Sequence, residues 1–543
     1  MIVVPRLTLI IVLSFLVGCT SVALEPNERV ATSTQRFESA EATLVDFEMD
    51  GRLVGDTTDP LALRPFIDAQ LMYAVGQLNG ERAVGWYERL EVSAISATPS
   101  PSGRYDVRYH AKLPVAWAAG SAPATYTLVL PGSVAAEDQV RFTEKYGTTC
   151  VDPQGGDLNA GGRPDAGRMF LFYRPQRPGC VLAPEDVSAA VANVKPSTEN
   201  STGKYPEYHR IWEDGALDFV AVFGIEIQDT PSDAGVKAFD DFLRSADAFL
   251  ATLQTDETKR TTTSTIIDGR RRTRIEAVLA DGRGVHVDAI LIGPQLANEG
   301  AAFDAWCDAA SFRADVIFYS GHAAHGANVR SLMTKGTFQP KKYLVWVVNG
   351  CDTLAYVDRT LADRRLALNP DDRSGTKYMD TVSNVLGAWF RMGDETAIRF
   401  VRDIVTATGA NAAPKTYRQI FSGIDRDQIV VVTGEEDNEF PVTPEPVVVR
   451  SPTEEPSKEA GGDAVAPRDE RPQPAREDSS CRMGRAPGEA PAAFLIAVAV
   501  GLLAFRRTRA PRLARASLSE TEAGDRQDPV VTPRCNRSTV VDR

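Results

Sequence analysis

Hydrophobic and polar residues alternate with two different periods along the chain, and together they predict two folded regions. Residues 205–440 alternate short apolar runs with amphipathic segments, which is the pattern of an α/β layer fold. Hairpin turns are expected at Asp268-Gly269 and Asp281-Gly282, between β-rich runs. The predicted strands cover residues 217–224, 285–293, 315–319, 343–348 and 428–433, and the predicted helices cover residues 236–253, 299–310 and 379–390.

The first region, residues 35–195, has the pattern of a small α+β domain. Apolar residues recur at helical spacing from Leu63 to Leu78, and Asn79-Gly80 follows as a helix stop. Segments of alternating polarity predict strands at residues 86–93, 105–115, 126–130 and 169–173. The expected fold class is therefore an α/β layered sheet with flanking helices, preceded by this smaller α+β domain.

Residues 1–19, MIVVPRLTLIIVLSFLVGC, follow the plan of an export signal, with one arginine, a long apolar run and small residues at the end. The last four, Leu16-Val17-Gly18-Cys19, resemble the lipobox of bacterial lipoproteins, and the resemblance implies that membrane lipid is attached to Cys19. An ordinary signal peptide that happens to contain a cysteine is the alternative. Thr20 stands in place of the aspartate that often retains such lipoproteins at the inner membrane, which favours the outer membrane or cell surface.

The C-terminal part of the chain divides into three segments. Residues 441–480, rich in proline and acidic residues, predict a disordered linker. Residues 481–515 combine a motif at Cys481, a 16-residue apolar run at 490–505 and a cluster of arginines. About 20 apolar residues are needed to cross a bilayer, but the arginines fit the positive-inside rule, so a transmembrane helix is predicted. This arrangement resembles the sorting tails of myxobacterial surface proteins and implies processing by a sorting protease at Cys481. Residues 516–543 continue past the point where such tails usually stop and are predicted to be disordered.

Composition and charge exclude several classes of protein. The chain has 543 residues, with 60 Lys+Arg against 73 Asp+Glu and a net charge of −13, and this acidic balance argues against nucleic acid as a partner. Seven scattered cysteines do not fit a disulfide scaffold or a CxxC zinc site. Because the chain has no HExxH frame, and no GxxxxGK[ST] or GxGxxG segment after a strand, we expect neither a metal nor a nucleotide cofactor.

Cys150 and Cys180 bracket a loop rich in glycine and aspartate. In an oxidising envelope these two cysteines can form a disulfide, which stabilises a loop of this length by about 3–4 kcal/mol in the chain-entropy model. The aspartates of the loop lack the spacing of a calcium-binding loop, so a plain polar loop is the better interpretation.

Two predicted strands end in residues that carry chemistry. The segment ADVIFYSGHAAHG places His322 directly after an apolar strand, and YLVWVVNGCDT places Cys351 at the end of the next one. In open α/β sheets, reactive groups collect at the carboxyl ends of strands. A histidine and a cysteine at neighbouring strand ends can form a pair in which the imidazole takes the thiol proton and the thiolate attacks a carbonyl.

A strand followed by Ser-Gly-His, and a later strand followed by Gly-Cys-Asp, is similar to the caspase-like cysteine peptidases, which include caspases, legumains and gingipains. The resemblance covers residues 210–435 and implies that Cys351 is the nucleophile, that His322 is the base, and that the Cys351 backbone N–H helps to hold the oxyanion. Those peptidases usually have glycine after the catalytic histidine, whereas Ala323 follows here. The pair His325-Gly326 is thus an alternative, and we favour His322 because it lies immediately past the strand.

These observations lead to two principal hypotheses of function. The first is an envelope-anchored cysteine peptidase that cleaves protein or peptide substrates through Cys351 and His322. The second is a non-catalytic surface or adhesion lipoprotein that has a peptidase-like fold. A thioester-forming or redox role for Cys351 is a third interpretation, less favoured because no second cysteine lies near it in the sequence.

Overall fold

A computed structural model of the protein describes residues 41–434, apart from 119, 154–161, 200–201, 254–258, 409–411, 423 and 425–427. The predicted export signal at 1–19, linker at 441–480, sorting segment at 481–515 and tail at 516–543 lie outside the described residues, and so do Cys19 and Cys481. Within the described part of the chain, no helix is long and apolar enough to cross a membrane.

The N-terminal region, residues 41–196, is built on an antiparallel sheet that contains six strands among the described residues. Its elements in chain order are β1 (Thr43–Gly55), α1 (Pro60–Leu71), α2 (Tyr73–Asn79), β2 (Ala83–Gly85), β3 (Glu91–Pro99), β4 (Tyr105–Trp117), β5 (Thr125–Pro131), α3 (Ala136–Tyr146), α4 (Met169–Phe172) and β6 (Val187–Pro196). The strand order is β2-β4-β1-β6-β5, with β3 also paired to β4. The helical prediction from Leu63 to Leu78 is confirmed by α1 and α2, which bury their apolar positions against the sheet.

Two parts of the N-terminal region differ from the prediction. Residues 169–173, predicted as a strand, form the short helix α4, in which Met169 and Phe172 are buried. Strand β3 begins only at Glu91, because residues 87–89 form a turn of 3₁₀ helix. Strands β1 and β6 were not predicted, although β1 pairs with β4 along its whole length and lies between β4 and β6 in the sheet.

The second region, residues 202–434, contains a mixed sheet with eight strands among the described residues, in the order β14-β13-β12-β11-β7-β10-β9-β8. Its elements are α5 (Tyr208–Ile211), β7 (Ala216–Gly224), α6 (Ala234–Thr252), β8 (Arg260–Ile267), β9 (Arg270–Val278), β10 (Gly284–Ile292), α7 (Ala301–Ser311), β11 (Val316–Ser320), α8 (Ala327–Thr334), β12 (Leu344–Asn349), α9 (Thr360–Leu368), β13 (Met379–Asn384), α10 (Gly393–Thr406), α11 (Tyr417–Phe421) and β14 (Val430–Gly434). Strands β7, β10, β11, β12 and β13 are mutually parallel.

Helices cover both faces of this sheet, which confirms the predicted α/β layering with flanking helices. Alternate residues of β7 point to opposite sides: Phe219 packs with α6, α10 and α11, whereas Val220 packs with α7, α8 and α9. Strands buried on both faces read as continuous apolar runs, which explains why β7, β10, β11 and β12 were recognisable from the sequence. The turn Asp268-Gly269 joins β8 to β9 with positive φ at both residues, as the hairpin signal predicted.

The predicted helix at residues 379–390 is wrong. Its first half is the buried strand β13, and the helix that follows, α10, begins only at Gly393. Every residue of this strand is buried, but four of the six are polar, so the strand lacks the continuous apolar run of its neighbours. The few apolar residues that remain happen to be spaced as in a helix. The carboxylate of Asp380 is buried between the hydroxyls of Tyr343 and Tyr417, which donate to Oδ2 over 2.6 and 2.7 Å.

The two regions share an apolar interface. Val75, Val84 and Trp86 of the N-terminal region belong to the same buried cluster as Leu354 and Val357, which follow β12 in the second region. The indole Nε1 of Trp86 donates to the Val357 carbonyl over 3.4 Å. The N-terminal region therefore lies against the segment that follows Cys351.

Candidate active site

The strand ends that carry His322 and Cys351 are neighbours. Strands β11 and β12 are adjacent and parallel, and their last residues, Ser320 and Asn349, are paired. The Gly321 backbone N–H donates to the Asn349 carbonyl over 3.1 Å, so the two turns begin in contact. A Cβ atom at position 350 would lie 2.8 Å from the Gly321 carbonyl oxygen, so glycine is required where the turns cross.

His322 is buried, with 5% of its surface exposed, and its ring is held by a backbone carbonyl. Nε2 lies 2.8 Å from the carbonyl oxygen of Glu226, which follows β7. A carbonyl only accepts, so Nε2 carries the proton and Nδ1 is the nitrogen that can accept one. The His322 carbonyl in turn accepts from the Tyr319 hydroxyl at 2.6 Å and the Asn328 amide at 2.9 Å, which fixes the turn.

One short segment between β13 and α10 contacts both candidate side chains. The Cys351 Sγ lies 3.9 Å from the carbonyl oxygen of Ala388. Two residues further on, the Phe390 ring stands edge-on to the His322 ring, with 4.7 Å between centroids. The structure thus brings Cys351 and His322 to the same strand ends beneath residues 388–390.

Cys351 is disulfide-bonded in the structure. Among the other described cysteines, Cys150 is bonded to Cys180 and Cys307 is a free, buried thiol. Sulfur in a disulfide is not a thiolate nucleophile, so nucleophilic chemistry at Cys351 belongs to the reduced chain. Burial in α7 raises the pKa of the Cys307 thiol to about 12, so this cysteine packs as a small apolar side chain of the helix.

His325 lies in different surroundings from His322. Ala324 and His325 both have φ of 50°, and Gly326 follows with φ of 85°, so the chain makes a left-handed turn away from β11. The His325 ring lies 6.4 Å from the ring of Phe170 in α4. Burial, aided by the charges of Arg168 and His322, lowers the pKa of His325 to about 4. His325 is therefore neutral near pH 7 and belongs to the contact with the N-terminal region, which favours His322 as the base.

Asp352 is a buried residue of the site that the sequence did not single out. It has φ of 52°, a conformation that aspartate adopts more readily than most residues. Burial raises its pKa to about 6, against the opposing effects of the Asn79 amide, which hydrogen-bonds to it, and the charge of Arg174. Among the described residues Oδ1 has no hydrogen-bond partner. Asp352 stands out as a candidate functional residue because it is an acidic residue that is buried, has a left-handed backbone conformation and directly follows Cys351.

Other features of the described residues lie outside these strand ends. Cys150 and Cys180, whose pairing was an expectation from the sequence, form a disulfide in the N-terminal region. Within the described part of the chain, no group of three or more acidic, histidine or cysteine side chains could hold a metal ion. An open cleft of about 700 Å³ between α6 and the β8–β9 hairpin has none of the candidate residues in its lining.

Comparisons with known proteins return no relative: no family model, no curated protein and no solved structure matches the chain. The inference of function therefore rests on the residues and contacts of the strand ends.

Proposed function

We propose that the protein is a cysteine peptidase of the caspase-like type, which cleaves protein or peptide substrates with Cys351 as nucleophile and His322 as base. The observation that carries the proposal is the pairing of adjacent parallel strands that end in a histidine and a cysteine, with His322 Nε2 held by the Glu226 carbonyl. Catalytic groups at the carboxyl ends of neighbouring strands, with a third group orienting the base, are the arrangement that nucleophilic catalysis needs.

The proposed reaction starts from the reduced chain. An added dithiol is oxidised to its own disulfide while Cys351 and its partner become thiols. His322 Nδ1 then takes the Cys351 proton, and the thiolate attacks the scissile carbonyl carbon to give a tetrahedral oxyanion. When the C–N bond breaks, the imidazolium gives its proton to the leaving amine, and water hydrolyses the remaining thioester. The Glu226 carbonyl stabilises the imidazolium by accepting from Nε2–H throughout.

The alanine after His322 is compatible with this mechanism. Ala323 has φ of −69°, an ordinary conformation in which alanine replaces glycine without strain. A Cβ built at position 350 would lie 3.4 Å from the Ala323 backbone nitrogen, so this N–H lies beside the turn that carries Cys351. Its N–H and that of Cys351 are the donors we propose for the oxyanion.

We also propose that the enzyme works in the cell envelope, as a membrane-anchored protein of the outer membrane or cell surface. The Cys150–Cys180 disulfide supports export, because such bonds persist in oxidising compartments. The proposed anchors are lipid on Cys19 or the apolar run at 490–505, and a sorting protease acting at Cys481 would select between them.

One observation favours a second candidate function, a non-catalytic surface or adhesion protein on the same fold. While Cys351 is in a disulfide, it has no thiolate to act as a nucleophile. If that bond persists in the mature protein, the residues at the two strand ends have only a structural role.

Peptide hydrolysis by the full chain separates the two candidates. Wild type treated with dithiothreitol should cleave members of a library of quenched fluorescent peptides, and wild type without the dithiol should not. Cys351→Ala and His322→Ala should each abolish cleavage to a similar extent, because members of one catalytic unit are non-additive. The control Cys307→Ala removes a buried thiol elsewhere and should keep the wild-type rate. Undiminished cleavage by Cys351→Ala, or no cleavage by folded, reduced wild type, would overturn the peptidase proposal.

A further inference from the structure

The turn that follows Cys351 is covered by the N-terminal region. Thr353 and Leu354 are fully buried, and Tyr356 and Val357 are nearly so. Trp86 reaches across to donate to the Val357 carbonyl. We call residues 350–357 the nucleophile turn. Because the nucleophile turn is packed against the N-terminal region, the conformation of the turn depends on the position of that region.

Asp352 is the point where this contact reaches the residue next to the nucleophile. Its backbone N–H donates to the Leu386 carbonyl over 3.3 Å, and its own carbonyl accepts from Ala355 N–H at 2.9 Å. Its side chain faces the Asn79 amide at the end of α2 and the Arg174 guanidinium. Backbone and side chain of Asp352 are thus held from opposite sides.

Arg174 is itself fixed within the N-terminal region. It donates to the Gly76 carbonyl, and its guanidinium lies 3.3 Å from the Asp152 carboxylate. Its guanidinium also donates toward the Leu171 and Tyr173 carbonyls, and it interacts with two carboxylates, one in its own region and one in the nucleophile turn. The link between regions at this point is electrostatic as well as apolar.

We propose that the N-terminal region clamps the nucleophile turn through Asn79 and Arg174, and that Asp352 is a positioning residue that sets the direction of the adjoining Cys351 backbone N–H. The role of Asp352 in catalysis rests on the proposed peptidase function, whereas the clamp itself does not. A left-handed conformation at a residue other than glycine persists only where the surroundings hold it, and the two contacts from the N-terminal region supply that restraint.

The charged and titratable groups around Asp352 define what pH should do to the clamp. Arg174 faces it from the N-terminal region with Asp152 behind, Asn79 faces it from α2 without titrating, and Tyr356 lies in the same turn. Protonation of Asp352 below its pKa of about 6 removes the attraction to Arg174 and keeps the hydrogen bond to Asn79. Burial of the carboxylate outweighs this attraction, since the pKa of Asp352 is raised overall, so protonation favours the buried contact and the clamp should tighten on acidification.

Hydrogen exchange of the full chain tests the clamp without any need for activity. In Asn79→Ala, backbone amides of residues 350–357 should exchange about tenfold faster at pH 7.5, because a hydrogen bond to a buried charge is lost. Asn79→Asp places a second carboxylate against Asp352 and should accelerate exchange further. The double variant Asn79→Asp/Asp352→Asn exchanges donor and acceptor and should restore slow exchange. Amides of the β8–β9 hairpin, far from the contact, serve as the internal control and should be unchanged.

Peptide hydrolysis then tests the positioning role. If wild type is active, Asn79→Ala should lower kcat several-fold with little change in KM, and the double variant should recover most of kcat. Unchanged exchange at residues 350–357 in Asn79→Ala and Asn79→Asp would overturn the clamp whether or not the protein is a peptidase. Faster exchange with no activity in wild type would leave the clamp standing and overturn only the peptidase proposal. Faster exchange with unchanged kcat would overturn the positioning role.

Discussion

Replacement of Asp352 by asparagine should change how stability depends on pH. The folded-state pKa of Asp352 is raised from 3.8 to about 6 because the carboxyl is buried. Between these two values the folded chain holds a proton that the unfolded chain has lost, so stability falls as pH rises. A pKa difference of about 2, at about 1.4 kcal/mol for each factor of ten, corresponds to as much as about 3 kcal/mol.

The free energy of unfolding measured with urea from pH 4 to pH 7.5 gives this quantity directly. Other buried groups titrate in the same range, so the useful number is the difference between Asp352→Asn and wild type at each pH. The free energy of unfolding of Asp352→Asn, minus that of wild type, should increase by up to about 3 kcal/mol between pH 4 and pH 6.5 and then stay constant. The control Asp229→Asn, which changes an exposed aspartate, should show no such trend. A flat difference for Asp352→Asn would refute the burial of a carboxylate at this point.

Three further outcomes are expected. Gly350→Ala should lower the free energy of unfolding by about 1–3 kcal/mol in urea titrations and abolish hydrolysis, because its Cβ would lie 2.8 Å from the Gly321 carbonyl oxygen; wild-type stability would contradict the contact between the two turns. The double variant Cys150→Ala/Cys180→Ala should lower the free energy of unfolding by about 3–4 kcal/mol. An unchanged urea midpoint would show that the disulfide is not formed in solution. His325→Asn, which suits the left-handed conformation, should keep hydrolysis within about tenfold of wild type, whereas complete loss would move the base to His325.

Four of the five parallel strands, β7, β10, β11 and β12, were predictable because each is buried on both faces and is mostly apolar. Strand β13 was not, because its sequence MDTVSN carries four polar residues into the core. Their burial is stabilised by partners from other elements, such as the two tyrosine hydroxyls on Asp380. A hydrophobicity pattern has no means of anticipating a polar residue whose partner lies elsewhere in the chain.

The N-terminal sheet was harder to predict for a related reason. Strand β1 alternates apolar residues with charged ones that pair across the sheet, for example Glu48 with Lys195 of β6 and Asp46 with Lys112 of β4. Antiparallel pairing over long distances in sequence supplies most of its stability, and no local turn signal marks it.

Some residues of the candidate site were predictable from the sequence, and others were not. His322 and Cys351 were predictable because each directly follows a strand that the sequence marks clearly. The Glu226 carbonyl and the contacts of Asp352 with Asn79 and Arg174 were not, because they join segments that only the tertiary fold brings together. The sequence pattern located the two candidate residues, and the structure is needed to find the groups that contact them.

Covalent trapping of Cys351 tests the central claim most directly. The full chain, reduced with dithiothreitol and freed of the reagent, is treated with a mixture of peptidyl acyloxymethyl ketones, and the adduct is mapped by mass spectrometry. The account predicts a single adduct at Cys351, formed at least about 100-fold more slowly in His322→Ala, because a positioned base contributes about that much or more. Labelling of Cys351 at equal rates in wild type and in folded His322→Ala would contradict it.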